Sequence, residues 1–206
     1  HNDTVADSPT DNFCTWNPID TNNGTFSDGN LVATTGTVGG STQRGTFHFD
    51  SGKWYWEFTP TTNGGITALG FESISNGAYT PHIYQADDGN YYNGASASSY
   101  GTTYTNNDVI GVAIDADNQT VEFYKNNVSQ GVISSVNSGM TAGDVYVPLL
   151  SDRNVTQIMT GTVNFGQSGF TYTPPTDYLA LSTANLPDPV IDPAQGSSPE
   201  DYFNTV

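Results

Sequence analysis

The stretch Ser51-Gly52-Lys53-Trp54-Tyr55-Trp56-Glu57-Phe58 decides the fold. Its aromatic residues Trp54, Trp56 and Phe58 recur at every second position, so they fall on one side of an extended strand. Ser51-Gly52 supplies a turn before the strand, and Pro60 breaks the pattern after it. Three large aromatic side chains on one face need a deep apolar layer to receive them. The stretch therefore predicts a central strand of a sheet with one buried face.

Similar alternation marks further strands along the chain. They are indicated by Leu69 and Phe71, by Ile110, Val112 and Ile114, by Val121 and Phe123, by Val145, Val147 and Leu149, and by Val163 and Phe165. Turn residues separate them at 27–30, 115–118 and 126–127. Residues 36–45 are interpreted as a loop, and so are most of 73–105, which are rich in Tyr, Asn, Gly and Ser. Short strands with regular turn signals predict an all-β fold, an antiparallel two-sheet β-sandwich.

Composition limits the function classes. The 206 residues suffice for one large β domain with a real core. They include 21 acidic and 4 basic residues, a net charge of −17. A nucleic-acid partner held through its phosphates needs a basic face that this chain cannot assemble, and an anionic membrane surface is disfavoured for the same reason. No window resembles a signal peptide or a transmembrane helix, so membrane insertion is not expected.

The chain has one cysteine, Cys14, which excludes a disulfide within the chain. Cys14 lies between Phe13 and Trp16 and has no basic neighbour to lower its pKa. It is interpreted as a small buried packing residue rather than a reactive thiol.

Three segments are expected. Residues 1–12 form a polar, extended lead-in, residues 13–181 form the sandwich, and the Pro-rich residues 182–206 are interpreted as a linker to a further domain. The sequence begins with His1 rather than Met, as expected for a processed product or a fragment of a longer chain.

No catalytic or metal-binding pattern stands out. There is no nucleophile motif, and His1, His48 and His82 lack the spacing of metal ligands. Glu57 and Glu122 are the acids that a polysaccharide hydrolase would use, but neither has a second carboxylate on the same strand face. Calcium could bind the oxygen-rich turns at 87–90 and 115–118, although Asp and Asn are also the ordinary residues of hairpin turns. We therefore predict no enzyme activity, no cofactor and no metal site.

Several segments together resemble the SPRY domain family. In chain order they are Gly52-Lys53-Trp54-Tyr55-Trp56-Glu57, Ala68-Leu69-Gly70-Phe71, Gly89 to Asn93, Ser99-Tyr100-Gly101, Asp108 to Asp115, Thr120 to Asn127, and Val163-Asn164-Phe165-Gly166-Gln167 followed by Phe170 and Pro174-Pro175. The resemblance runs from about residue 45 to 176. The sequence departs from the family pattern in its loops and at 155–161.

The resemblance implies a concanavalin-like, bent jelly-roll sandwich that is not an enzyme and binds partners through loops at one end. Binding residues vary within the family, so none can be carried over by position. The flanks 7–13 and 183–203 resemble those around SPRY modules in phage virion proteins. We therefore expect an extracellular virion location and a binding module of a phage fibre, appendage or capsid-surface protein.

The partner surface is predicted in the loops between Ser73 and Asn107, because exposed-type aromatics concentrate there. The candidate binding residues are Tyr79, His82, Tyr84, Tyr91 and Tyr92. The alternative is that several of these tyrosines only close the open end of the sandwich. If all five pack, the site would lie elsewhere, for example at 36–44.

The partner is expected to be a protein or a glycan, including other virion chains, and a homo-oligomer is compatible with this placement. Two other functions remain open at this point. One is a carbohydrate-binding lectin domain of a viral or secreted protein, with the Tyr-rich region as a stacking platform. The other is the polysaccharide hydrolase.

Overall fold

A computed structural model describes residues 11–36, 40–63, 67–75, 77–152 and 158–186, which form two β-sheets packed on a shared core. The predicted all-β sandwich is confirmed. Within these residues the helical elements are one short turn of α-helix, α1 (Ser135–Ser138), and a 3-10 turn (Thr183–Asn185). Neither of these helical turns has the length or the apolar run of a membrane-spanning helix.

Seven antiparallel strands form the first sheet, sheet A. In spatial order they are β1 (Trp16–Asn22), β4 (Ser41–Gly45), β13 (Val145–Asp152), β6 (Thr67–Ser75), β7 (Ala78–Gln85), β8 (Asn90–Asn93) and β9 (Ser96–Ser99). Strands β1 and β9 are its two edges.

Eight strands form the second sheet, sheet B. In spatial order seven of them are β12 (Val128–Ile133), β11 (Thr120–Lys125), β10 (Ile110–Asp115), β5 (Lys53–Thr62), β14 (Thr160–Asn164), β3 (Val32–Thr35) and β2 (Gly24–Ser27). The eighth, β15 (Leu179–Ala180), pairs in parallel with β5 beside the end of β14.

The aromatic stretch is β5, and it lies in the middle of sheet B as predicted. Trp56 stands opposite Val112 of β10, and Trp54 stands opposite Ile114. All four side chains are buried. The aromatic side of β5 therefore faces the core, which also receives Trp16, Phe71, Tyr84, Tyr91, Phe123, Tyr146, Leu150 and Phe165 from other parts of the chain.

Cys14 belongs to the same core and is fully buried. Burial raises the pKa of its thiol to about 11, because the thiolate would lose its hydration. The interpretation of Cys14 as an inert packing residue is consistent with this environment.

The predicted turns of sheet B are confirmed. Asn126 and Asn127 connect β11 to β12 with φ angles of 49° and 67°, the left-handed pair that a two-residue type I′ hairpin requires. In the turn between β10 and β11, the Asp115 carboxylate accepts a bond from the backbone N–H of Asn118 at 3.0 Å and from its side-chain amide at 2.8 Å.

Two segments interpreted as loops are strands in the structure. Residues 73–105 contain β7, β8 and β9, and β7 pairs with β6 along its whole length despite Pro81. Residues 41–45 form β4, whose polar side chains Ser41 and Gln43 are buried. Both segments lack an alternating apolar pattern because hydroxyl, amide and imidazole groups occupy inward positions.

A buried carboxylate holds the segment that follows β14. Glu57 lies on the side of β5 away from the core and is 1% exposed. It accepts hydrogen bonds from the backbone N–H groups of Thr171 and Tyr172 at 2.8 and 2.9 Å, and from the Tyr55 hydroxyl at 3.3 Å. Phe170 packs edge-on against the Tyr55 ring. The chain after β14 is thereby fixed across the outside of sheet B.

The two ends of the described chain meet. Phe13 pairs antiparallel with Ser182, and the N–H of Thr183 donates to the carbonyl of Asn12 at 2.9 Å. Of the expected lead-in, 1–10 lie outside the described residues, and so do 187–206 of the expected linker. The three-segment division stays a prediction.

Replacing Trp56 with Ala should lower the free energy of unfolding by about 3–5 kcal/mol, the range for removing a large buried aromatic side chain. Chemical denaturation and thermal melting measure the change, with Thr162→Ala on the exposed side of β14 as the control. A Trp56→Ala protein that melts within a few degrees of the wild type would contradict the central role of β5.

Replacing Glu57 with Gln should lower the free energy of unfolding by about 2 kcal/mol. The NH₂ group of Gln would face one of the two backbone N–H donors, and this fixed donor would lose its acceptor. The melting temperature should fall by roughly 4–8 °C for a domain of this size. Glu122→Gln is the matched control, since the partners of Glu122 are the hydroxyls of Tyr124 and Ser129, which can rotate. Equal melting temperatures for the two variants would show that Glu57 does not hold the segment.

Candidate functional site

The five candidate binding residues all lie on β7 and β8, but the strands divide them between two faces. His82, Tyr84 and Tyr91 point into the core and are at most 1% exposed. Tyr79 and Tyr92 lie on the outer face of sheet A. The inward three therefore pack in the interior, and they leave a partner little to contact.

His82 and Tyr91 form a buried polar cluster. The His82 Nδ1 atom is 2.9 Å from the Ser138 carbonyl oxygen, which can only accept, so Nδ1 carries the proton. Nε2 then accepts from the Ser73 hydroxyl at 2.9 Å, and the Tyr91 hydroxyl donates to the same Ser138 carbonyl at 2.7 Å. Burial lowers the pKa of His82 to about 4, so the ring is neutral near pH 7. The cluster joins sheet A to α1.

Tyr84 anchors the loop after β9. Its ring packs against Tyr100, Tyr104 and Phe123, and its hydroxyl donates to the Thr102 carbonyl. Burial raises the pKa of Tyr84, because the phenolate would be poorly hydrated. The lectin hypothesis used the Tyr-rich region as a stacking platform, and the burial of Tyr84 excludes this residue from it.

Tyr79 and Tyr92 are accessible but lie apart on the outer face. Tyr92 is opposite Ile83, four residues along β7 from Tyr79, or about 13 Å at the usual rise of a strand. The Arg44 guanidinium lies 4.5 Å from the Tyr79 ring centroid, and the Tyr92 hydroxyl donates to Asp88 at 2.7 Å. A contact role for these two residues stays a prediction.

A cleft opens where an edge of sheet A meets an edge of sheet B. It encloses about 420 Å³ between β8–β9 on one side and β12 with α1 on the other. Its lining consists of Tyr91, Asn93, Ser96, Ala97, Ser98, Ser99, Tyr100, Val132, Ile133 and Asn137. We call this the edge cleft. Of the five candidates, only Tyr91 reaches it.

Tyr100 fixes the two walls of the edge cleft relative to each other. Its hydroxyl accepts from the backbone N–H of Phe123 at 2.9 Å and donates to the carbonyl of Gly131 at 2.6 Å. The β11–β12 register shifts at this point, and Gly131 has a φ of 104°, as in a β-bulge. Tyr100 thus inserts a side-chain oxygen between two strands. It belongs to the Tyr-rich region but was not among the five candidates.

The walls of the edge cleft carry no charge. Residues 89–107 and 126–143 contain no Asp, Glu, Lys or Arg in a chain of net charge −17. Three valines around β12 and α1 are largely exposed: Val128 is 64%, Val132 is 63% and Val136 is 90% accessible. Depletion of charge together with exposed apolar and aromatic side chains is typical of the centre of a protein interface.

A second hollow, of about 630 Å³, lies between 86–87 and 103–106. Its polar groups already bind one another: the backbone N–H of Asn63 donates to Asn106 at 2.6 Å, and the Asn63 amide donates to the Tyr104 carbonyl at 3.2 Å. The Tyr104 hydroxyl at its base donates to the Tyr84 carbonyl. The edge cleft is therefore the better candidate site.

The acidic residues considered for catalysis or calcium have structural partners. Glu57 is buried against backbone N–H groups, and Glu122 accepts from Tyr124 and Ser129. Asp88 and Asp115 accept from the amides of their own turns. Among the residues that the structure describes, no group of three His, Cys, Asp or Glu side chains could hold a metal ion.

The basic residues in the described ranges are all ion-paired. Arg44 contacts Glu72 at 2.5 Å and Asp20 at 2.9 Å. Lys53 lies 3.5 Å from Asp115, and Lys125 lies 3.2 Å from Asp108. Each positive charge is thus neutralised within the domain.

Comparison with known proteins identifies one family and several similar folds. The family model described as the SPRY domain matches residues 53–160. The crystal structure of the SPRY domain of human HERC1 superimposes with a TM-score of 0.54 and 17% identity, over 72% of this chain and 96% of that one. The stonustoxin structure gives a TM-score of 0.56 and 16% identity, over 74% of this chain and 27% of that one. A search of curated protein sequences found no match.

The buried neutral histidine predicts a pH dependence of stability. Its pKa is about 4 in the folded protein and near 6.5 when unfolded, so the unfolded chain binds the extra proton between these values. The stabilisation is complete above pH 6.5 and is lost as the pH falls to about 4, a change of ~3 kcal/mol.

Denaturation of wild type and His82→Asn from pH 7.5 to 4 measures this contribution. The destabilisation caused by His82→Asn should shrink as the pH falls, while the exposed His48→Asn control should follow the wild-type curve. Parallel curves for wild type and His82→Asn would contradict the assignment.

Proposed function

This chain belongs to the SPRY family, whose domains mediate protein interactions, and we propose that it is a non-catalytic binding module of a phage structural protein. The protein would be a fibre, an appendage or a component of the capsid surface. Its binding surface would be the edge cleft with the valines beside it.

The edge cleft is the observation that carries the proposed binding role. It combines a concave surface, uncharged walls and three exposed valines in a chain that is otherwise strongly acidic. Exposed apolar side chains cost free energy in water, and a partner that covers them recovers that energy. Tyr100 follows β9, and its hydroxyl bonds to β11 and β12, so it holds the two walls in one arrangement before binding, which lowers the entropy cost of association.

Support for the virion location comes from the sequence outside the family match. The flanks 7–13 and 183–203 resemble those around SPRY modules in phage virion proteins. The surface owes its polarity mainly to Asn, Thr, Ser and Gly, since only 12% of the residues are charged. Such surfaces are common in secreted and virion proteins.

Immunogold labelling tests the location. Antibodies raised against the domain should mark the surface of purified particles of the phage that encodes the chain, and preimmune serum should not. Detection of the protein only in the soluble fraction of infected cells, with unlabelled particles, would contradict the virion role.

A further inference from the structure

We infer that the partner enters the edge cleft as an extended, uncharged peptide segment that pairs with the free side of β12. This inference rests on the proposed function and specifies its partner. Strand β12 is the last strand of sheet B, so one side of its backbone has no strand neighbour in the described part of the chain.

The hairpin register shows which backbone groups of β12 face that side. The two-residue turn Asn126-Asn127 makes Lys125 and Val128 the first hydrogen-bonded pair of β11 and β12. The next pair, Tyr124 and Ser129, is then a non-bonded one, so the N–H and C=O of Ser129 point away from β11. On β11, Glu122 lies two residues before Tyr124, so its backbone groups also point away from β12. Its partner across the bulge, Val132, is therefore in a non-bonded pair as well, and the N–H and C=O of Val132 point away from β11.

Strand β12 has a bulge at Gly131 but lacks the charged and proline residues that usually protect an edge. Lys, Pro or inward-pointing charges commonly stop an edge strand from pairing with another chain. Residues 128–133 read Val-Ser-Gln-Gly-Val-Ile, with neither charge nor proline. The valines at 128 and 132 are more than 60% exposed. An added strand could therefore use both the backbone and two apolar side chains.

The charge pattern defines the chemistry of the added strand. Because residues 89–107 and 126–143 are uncharged, a charged peptide side chain would lose hydration in the cleft without an ionic partner. Small, hydroxylated and aliphatic side chains fit the serines and Asn93 of one wall and Val132 and Ile133 of the other. A neutral segment with alternating aliphatic residues is thus the expected partner, in the manner of strand addition.

The opposite wall is less suited to pairing. Strand β9 is also an edge, but its four residues are Ser, Ala, Ser and Ser, all exposed. It offers backbone groups, but its one apolar side chain, Ala97, is too small to anchor a partner. Strand β9 therefore forms the far wall of the cleft, and β12 is the strand that pairs.

Peptide selection tests the inference directly. Random twelve-residue peptides displayed on yeast would be selected on the wild-type domain and then measured against variants. Val132→Pro removes an outward N–H without touching the β11 ladder, where an edge position tolerates proline. Val132→Thr keeps the N–H and the shape of the side chain. Affinity should fall at least tenfold further in Val132→Pro than in Val132→Thr, because both variants change the apolar side chain and only Val132→Pro also removes the N–H. The melting temperature of each variant is the folding control.

A second measurement needs no variant. Hydrogen exchange of the Ser129 and Val132 amides should slow at least tenfold when a selected peptide binds, because both groups would then be hydrogen-bonded. Unchanged exchange at both amides, or equal affinity of wild type and Val132→Pro, would overturn the pairing.

Ser98→Lys on the β9 wall separates the two proposals. Peptides that are lost in Ser98→Lys but kept in Val132→Pro would bind the cleft without pairing, which overturns this inference and retains the proposed binding surface. Peptides insensitive to both variants would overturn both. No enriched peptide, together with a signal on an array of neutral glycans, would overturn this inference and retain a non-catalytic binding role.

Discussion

The burial of both faces of β5 is the constraint on which the rest of the structure depends. The core face carries Trp54 and Trp56, which require apolar partners from both sheets. The other face carries Glu57, a carboxylate that is almost fully buried. A buried charge is tolerated only when hydrogen bonds replace its lost hydration. The chain after β14 supplies two of them from Thr171 and Tyr172, so one strand organises both the interior and the outer cover of sheet B.

The sequence predicted the strands that bury apolar side chains on one face. Val112 and Phe123 lie on strands where apolar and small or polar residues alternate, and both strands were identified correctly. Strand β7 was missed because its inward positions are His82 and Tyr84, and because Pro81 suggests a break. Strand β4 was missed because Gln43 faces inward. Periodicity identifies a strand from its buried apolar residues, so it fails where the buried positions hold polar groups with hydrogen-bond partners.

The binding surface was the less predictable part, since it depends on contacts distant in sequence. His82 was predicted to contact a partner, because its hydrogen-bond acceptor Ser138 lies 56 positions later and could not be identified from the sequence. The edge cleft joins β9 to β12, and nothing local indicates that these edges meet. Tyr100 was visible as an aromatic residue in the right region, but its place between Phe123 and Gly131 could not be read from its neighbours. The absence of charge in 89–107 and 126–143 was a usable signal, because both runs are evident in the sequence.

The pairing of Phe13 with Ser182 has a consequence for how such a domain can be incorporated into a larger protein. The segments that begin and end the described domain lie side by side, about 5 Å apart at the Phe13–Ser182 bridge. Cys14 and Leu181 extend the contact by one hydrogen bond of 2.9 Å. A unit with this layout can be spliced into a surface turn of a host chain, because the gap it must bridge is no wider than the turn itself. The host would bear the domain as a side branch, and a force along the host backbone would largely bypass the sandwich.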